Sequence, residues 1–250
     1  MISVIIQARL GSTRLPGKTL IEIAGRPMLG HVVDRVRRIA GVEQIIIATT
    51  TKPNDQAIVS FAEAEGLPVY TGSEEDVLDR FYQAARLFKA SIIIRITPDC
   101  PLLDVAVSEQ VLTRFLQGDV DYASNTNPPT FPDGLDTEVF SFAALEQTWH
   151  EAKLPSEREH VTAYMWKNSG KFRLANVSNS TDLSALRWTV DEPRDLAFVR
   201  AVCNHLDPTT TSFGMAEVLA LLQAQPELYQ LNTGIMRNEG YQRSLRQEGS

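Results

Sequence analysis

Three short apolar runs dominate the first hundred positions: Val4, Ile5 and Ile6, then Ile45, Ile46, Ile47 and Ala48, then residues 92–96. Runs that are apolar at successive residues, rather than alternating, mark strands covered on both faces, as in a parallel sheet. The intervening stretches at 28–39, 55–65 and 77–88 carry apolar residues three and four apart, for example Val32, Val33, Val36 and Ile39. That spacing makes one face of a helix. Pro27 suits a first helical turn, and Asp76 stands where an N-cap would be. Strand and helix alternating at this spacing predict right-handed βαβ units and an α/β, doubly wound, mostly parallel sheet.

The pattern changes after about residue 118. Pro128, Pro129 and Pro132 interrupt the chain, and a strand over 135–142 follows the Asp133-Gly134 turn. Helices are expected over 142–151 and 156–168, strands over 172–177 and 186–190, and helices over 193–205 and 213–223. Residues 120–180 read as a small α+β elaboration on the same sheet. The expected organisation is one domain over 1–230 and a polar tail over 231–250.

A chain of 250 residues can bury one sizeable core. Its net charge of −7 argues against a nucleic-acid partner, so any anion site must be local. The two cysteines, Cys100 and Cys203, are too few and too far apart for a disulfide framework or a thiolate metal cluster. The N-terminal apolar run stops at Gln7 and Arg9, and no run is long enough for a signal peptide or a membrane span. A cytoplasmic protein with no membrane partner is the expectation.

In open α/β sheets ligands bind beyond the carboxyl ends of the strands. The segment after the first strand, from Gln7 to Lys18, holds Arg9, Arg14 and Lys18 among Ala8, Gly11, Ser12, Thr13 and Gly17. Small residues let backbone N–H groups approach phosphate oxygens, and the cations offset their charge. The segment 11–19 nearly spells a Walker A loop. It has five residues where that loop has four between its first glycine and the Gly-Lys pair, and no helix starts at the lysine. This disfavours a P-loop kinase or ATPase.

The spacing resembles instead the Arg-x-Gly-Ser-x-Arg-Leu-Pro-x-Lys signature of the sugar-activating cytidylyltransferases, which include the CMP-Kdo and CMP-neuraminate synthetases. The likeness is strongest to the SpsF branch of spore-coat polysaccharide biosynthesis, and extends from Ile2 to about His205. It implies a Rossmann-like sheet of the nucleotide-diphospho-sugar transferase type and transfer of CMP from CTP to a sugar hydroxyl, with Mg²⁺ as cofactor. Arg9, Arg14 and Lys18 are then expected to bind the triphosphate, with Lys18 stabilising charge on the α-phosphate. Asp99, in a turn resembling the family's Gly-Asp-x-Pro-Leu segment, and Asp191, in Trp188-Thr189-Val190-Asp191-Glu192-Pro193, match metal-binding aspartates. Pro98 stands where many relatives have glycine. Asp191 could alternatively cap a helix, and Asp104 reads as a cap.

Thr49, Thr50, Asp79 and Arg80 fall where the family reads base and ribose, although Arg80 could equally pair with Glu75 or Asp76. The acceptor sugar, acidic sugars among the candidates, is expected toward Asn125, Asp136, Glu138, Arg158 and His160. Ser156 and Glu159 have the spacing of a capping box, which makes Glu159 structural. Cys100 reads as a small buried filler. Relatives form dimers through the region matching 120–180, so a homodimer is expected. Two other readings remain: a glycosyltransferase of the related fold, for which no Asp-x-Asp motif ends the 92–96 strand, and a nucleotide-binding homologue without catalysis.

Overall fold

The computed structural model describes residues 1–207, 213–237 and 239–248, apart from the side chain of Gln247. In chain order its strands are β1 (Ile2–Gln7), β2 (Glu22–Ile23), β3 (Arg26–Pro27), β4 (Gln44–Thr50), β5 (Val69–Gly72), β6 (Ile92–Ile96), β7 (Tyr122–Ser124), β8 (Glu138–Ser141) and β9 (Leu174–Asn176). The helices are α1 (Met28–Val36), α2 (Gln56–Ala64), α3 (Val77–Leu87), α4 (Val105–Leu116), α5 (Phe142–Glu151), α6 (Pro155–Glu159), α7 (Ala163–Lys167), α8 (Pro193–Leu206), α9 (Met215–Ala224) and α10 (Glu239–Glu248). Among the described residues seven strands form one sheet in the order β5-β4-β1-β6-β8-β7-β9, and β2 and β3 form a small hairpin. β4, β5 and β6 run parallel with β1, and β9 runs parallel with β7. Within the seven-stranded sheet of the described residues, β8 alone is antiparallel to its neighbours.

The apolar runs are explained by burial on both faces. Val4 and Ile6 of β1 pack with Leu29, Val32, Val33 and Val36 of α1, while Ile5 packs on the opposite face with Leu78 and Phe81 of α3. A third cluster, around Trp188, Val190, Phe198 and Val199, ties segment 186–190 and α8 to the hairpin residue Ile23. Tyr122 and Phe140 extend the second cluster through β7 and β8, so the elaboration is built onto the main sheet.

Several expected elements take a different form. Segment 186–190 is no strand: its hydrogen bonds go to loops, from Trp188 N to the Asp133 carbonyl (2.6 Å) and from Val190 N to the Asp99 carbonyl (2.8 Å). The expected strand over 135–142 shortens to β8 because the Asn125 side chain takes the partners a neighbouring strand would, donating to the Leu135 carbonyl and accepting from Thr137 N. The helix over 156–168 splits into α6 and α7 at Val161, whose φ is +37°, a rare conformation for a β-branched residue. The capping box lies two residues earlier than expected: Glu157, not Glu159, reaches back to Leu154 N at 3.3 Å. The region expected as a polar tail holds α10, which packs beside α6. No described helix is long and apolar enough to cross a membrane.

Candidate active site

β1 delivers residues 8–18 to the carboxyl edge of the sheet. Leu10 N donates to Asp55 Oδ1 at 2.7 Å, Thr50 hydrogen-bonds the same carboxylate, and Thr19 Oγ1 donates to the Arg9 carbonyl at 2.8 Å. Gly17, at φ +71°, makes the left-handed turn that aims Lys18 inward. Lys18 opens only a three-residue 3₁₀ turn, and the first α-helix waits until Met28. A Walker A loop would start its helix at the lysine.

The Lys18 ammonium is the centre of the site. It donates to Asp99 Oδ2 at 2.8 Å, Asp191 Oδ1 at 2.7 Å and the Val190 carbonyl at 2.9 Å. The two aspartates, 92 positions apart in the chain (191 − 99), meet because the backbones are stitched together by Val190 N on the Asp99 carbonyl. Burial opposes the charge on Lys18, but Asp99 and Asp191 outweigh it and raise its pKa. Burial likewise opposes the charge on Asp191, yet Lys18, Arg14 and Arg187 bring that carboxyl down to about 2. Asp191 is no helix cap: Asp195 accepts from Asp191 N and Glu192 N at α8, leaving the Asp191 carboxylate for Lys18 and Arg187. Asp104, as expected, caps its helix through Val107 N.

Two cavities meet at this cluster, sharing Arg14, Thr97, Asp99, His160, Asp191 and Gly240 as lining. The first, of about 420 Å³, is lined by Ala8, Arg9, Gly11, Ser12, Arg14, Lys18 and Arg80. Arg80 is 1% exposed, and its Nε is buried without a hydrogen-bond partner among the described residues. Burial and the nearby Arg9 lower its pKa to about 10. Its guanidinium bonds the Ser73 carbonyl rather than Glu75 or Asp76. An unmet buried donor beside three further cations suits an anionic or carbonyl-bearing ligand.

The second cavity, of about 460 Å³, is lined by Asp136, Glu138, His160, Asp133, Arg95 and Arg187 among others. Arg95 is already engaged by Glu138, and Arg187 approaches Asp133, Asp191 and Asp195 at 2.9 Å apiece. Burial, and then the neighbouring Asp136, hold the Asp133 carboxyl above the ordinary carboxylate range. Burial lowers the pKa of His160. Cys100 lines this wall as a buried thiol whose pKa burial pushes well up.

Other expected contacts lie elsewhere. Thr49 is buried within β4, and Thr50 serves the loop through Asp55; neither lines either of these two cavities. Asp79 links helices, accepting from Trp149 Nε1 at 2.8 Å and Gln83 at 3.1 Å. Asn125 is occupied by the backbone contacts that shorten β8, and Arg158 is held by Asp76 and the Trp149 carbonyl, away from both cavities. Sequence reasoning missed Arg187, which grips three carboxylates, and Arg237 and Glu239, which reach Asp136 and Arg14. The four-residue spacing of Arg187 and Asp191 was a weak signal; no periodicity marks a contact arriving from residue 239.

Residues 3–239 match the cytidylyltransferase family. The chain belongs to that family. An uncharacterized protein of Methanocaldococcus jannaschii is 34% identical over 95% of this chain and 96% of its own. The spore coat polysaccharide biosynthesis protein SpsF of Bacillus subtilis is 30% identical over 89% and 94%. Among solved structures, a cytidylyltransferase from Leptospira borgpetersenii superposes with a TM-score of 0.87 at 30% identity, covering 94% of this chain and 99% of that one. A CMP-2-keto-3-deoxy-manno-octonic acid synthetase complexed with CTP has the same fold, with a TM-score of 0.62 at 22% identity over 82% and 98%. Family membership displaces the glycosyltransferase reading, and the fold expected for this cytidylyltransferase is the one observed.

Proposed function

We propose that this cytidylyltransferase moves CMP from CTP to a sugar hydroxyl, forming a CMP-sugar and pyrophosphate. The observation that carries the reading is the junction of a cation-lined and a carboxylate-lined cavity at Lys18, Asp99 and Asp191. The first suits a triphosphate and the second a polyhydroxyl acceptor, so the reacting groups would meet where the walls are shared. The family's description, the Leptospira cytidylyltransferase and the CTP bound by the octonic acid synthetase support cytidine as the base.

The residues present also fit a divalent cation. The carboxylates of Asp99 and Asp191 meet at the Lys18 ammonium, and Mg²⁺ is commonly held by one or two carboxylates with substrate phosphates and water. Among the described residues no cluster of three or more potential ligands competes. Asp99 and Asp191 would hold Mg²⁺, which would neutralise phosphate charge. Arg9, Arg14 and Arg80 would orient the triphosphate, and Lys18 would stabilise charge growing on the α-phosphate. The acceptor oxygen bonds to the α-phosphorus as its hydroxyl proton passes to solvent, the bond from the α-phosphorus to the α–β bridging oxygen breaks, and its electron pair leaves with pyrophosphate.

For the acceptor, the wall favours hydroxyls over a carboxylate. Asp133, Asp136 and Glu138 present acceptor oxygens, while Arg95 and Arg187 are committed to acidic partners. Pyrophosphate release is the test, with CTP, Mg²⁺ and a panel of neutral, amino and acidic sugars. Turnover with a neutral or amino sugar, and its loss in Lys18→Ala and Asp191→Ala, is the expected result. Full turnover in either variant overturns the role of that residue, and turnover with acidic sugars alone overturns the acceptor class.

A further inference from the structure

The last helix, α10, supplies wall to both cavities. Glu239 and Tyr241 line the carboxylate-rich one, and Arg243 and Ser244 the cation-lined one. It is anchored at its middle: Ser244 Oγ donates to Glu159 at 2.6 Å and lies 2.9 Å from His160 Nε2, and the Tyr241 ring meets His160 edge-on. Its first residue reaches further, with Glu239 accepting from Arg14 Nη1 at 2.8 Å.

The cations of the triphosphate cavity are unequal. Lys18 holds Asp99 and Asp191, Arg14 holds Glu239 and Asp191, Arg80 bonds a carbonyl, and Arg9 faces Glu74 at 3.8 Å. Arg243 has no ion pair or hydrogen bond to any described residue, although it lines the same cavity. An arginine with no such partner breaks no protein contact when it binds phosphate. Glu239, in contrast, puts a negative charge on the very guanidinium that a triphosphate needs, and like charges at one arginine repel.

We propose that α10 is a triphosphate-responsive lid, in which Arg243 is a further phosphate ligand and Glu239 occupies Arg14 until phosphate replaces it. The proposal rests on the reading of the first cavity as a triphosphate site and names the element that regulates it. It makes Arg14 a switched residue, paired with the lid when the site is empty and with substrate when it is full.

Isothermal titration of the full chain with Mg²⁺-CTP, and separately with inorganic tripolyphosphate, tests it. Arg243→Ala should weaken both by about fivefold, the scale of one exposed charge-assisted contact, and Arg243→Lys should keep part of the affinity. Glu239→Gln, which keeps shape and loses charge, should tighten both by about threefold, with the melting temperature of the free protein unchanged. Wild-type affinity for both ligands in Arg243→Ala and Glu239→Gln overturns the lid while leaving CTP binding intact. Shifts confined to tripolyphosphate, with no CTP binding by the wild type, uphold the lid and overturn the cytidine reading. A wild type that binds neither ligand overturns both.

Discussion

At the scale of single residues, charge density is the organising fact. Arg187 is 6% exposed at its side chain and touches Asp133, Asp191 and Asp195, the last fully buried. Removing it strands a buried carboxylate, which costs far more than the intact cluster contributes. Arg187→Ala should lose about 3–5 kcal/mol in urea unfolding. Arg187→Lys should recover little of it, because an ammonium lacks the planar fork that serves three carboxylates. Asp191 carries a pH signature of known sign. Its folded pKa, about 2, lies below the unfolded value, so its contribution is present at neutral pH and is lost as pH falls from about 4 to 2. The stability gap between wild type and Asp191→Asn should therefore be about 2 kcal/mol at pH 7, shrink from about pH 4 downward and close only near pH 2. A gap that stays constant across an acid titration would show that Asp191 is held by something other than its cations.

At the scale of elements, close approach decides how the two aspartates come together. Gly134, at φ +110°, lies so near segment 188–189 that an added Cβ would stand 2.6 Å from Thr189 N and 2.7 Å from the Trp188 carbonyl carbon. Gly134→Ala combines backbone strain with that collision and should destabilise the protein by about 3 kcal/mol. Because Val190 N also holds the Asp99 carbonyl, turnover should fall more than unfolding alone accounts for, measured well below the melting temperature. The sequence made this geometry only partly legible. β1, β4, β6 and the cation loop could be read because double-sided burial and the need for small residues leave local traces. Segment 186–190 read as a strand because burial makes it apolar, although its hydrogen bonds go to loops. Asn125 looked like a sugar ligand because nothing local tells a polar side chain facing a cavity from one replacing a strand. The contact of Glu239 with Arg14 spans 225 positions and leaves no periodic trace at all.

At the scale of the whole molecule, the site is a junction of distant parts, so ligands should stabilise everything at once. At a hundred times its dissociation constant, Mg²⁺-CTP adds about 2.7 kcal/mol to the folded state. For a chain of this size that should raise the melting temperature by about 5–10 °C, read by thermal shift, and UTP or GTP at equal concentration should do less. Equal shifts with all nucleotides would remove base selectivity from the account.

The bonds of Lys18 to Asp99 and Asp191 span 81 and 173 positions. Contacts of such long range close large loops before they give anything back, and they slow the search for the native state. On refolding, α1 and α3 can form from their neighbours, but the lysine acquires its carboxylates only when the far end of the chain arrives. Competence to bind nucleotide should therefore return late in refolding, after the burial of β1 and α1, and a stopped-flow comparison of the two signals checks it.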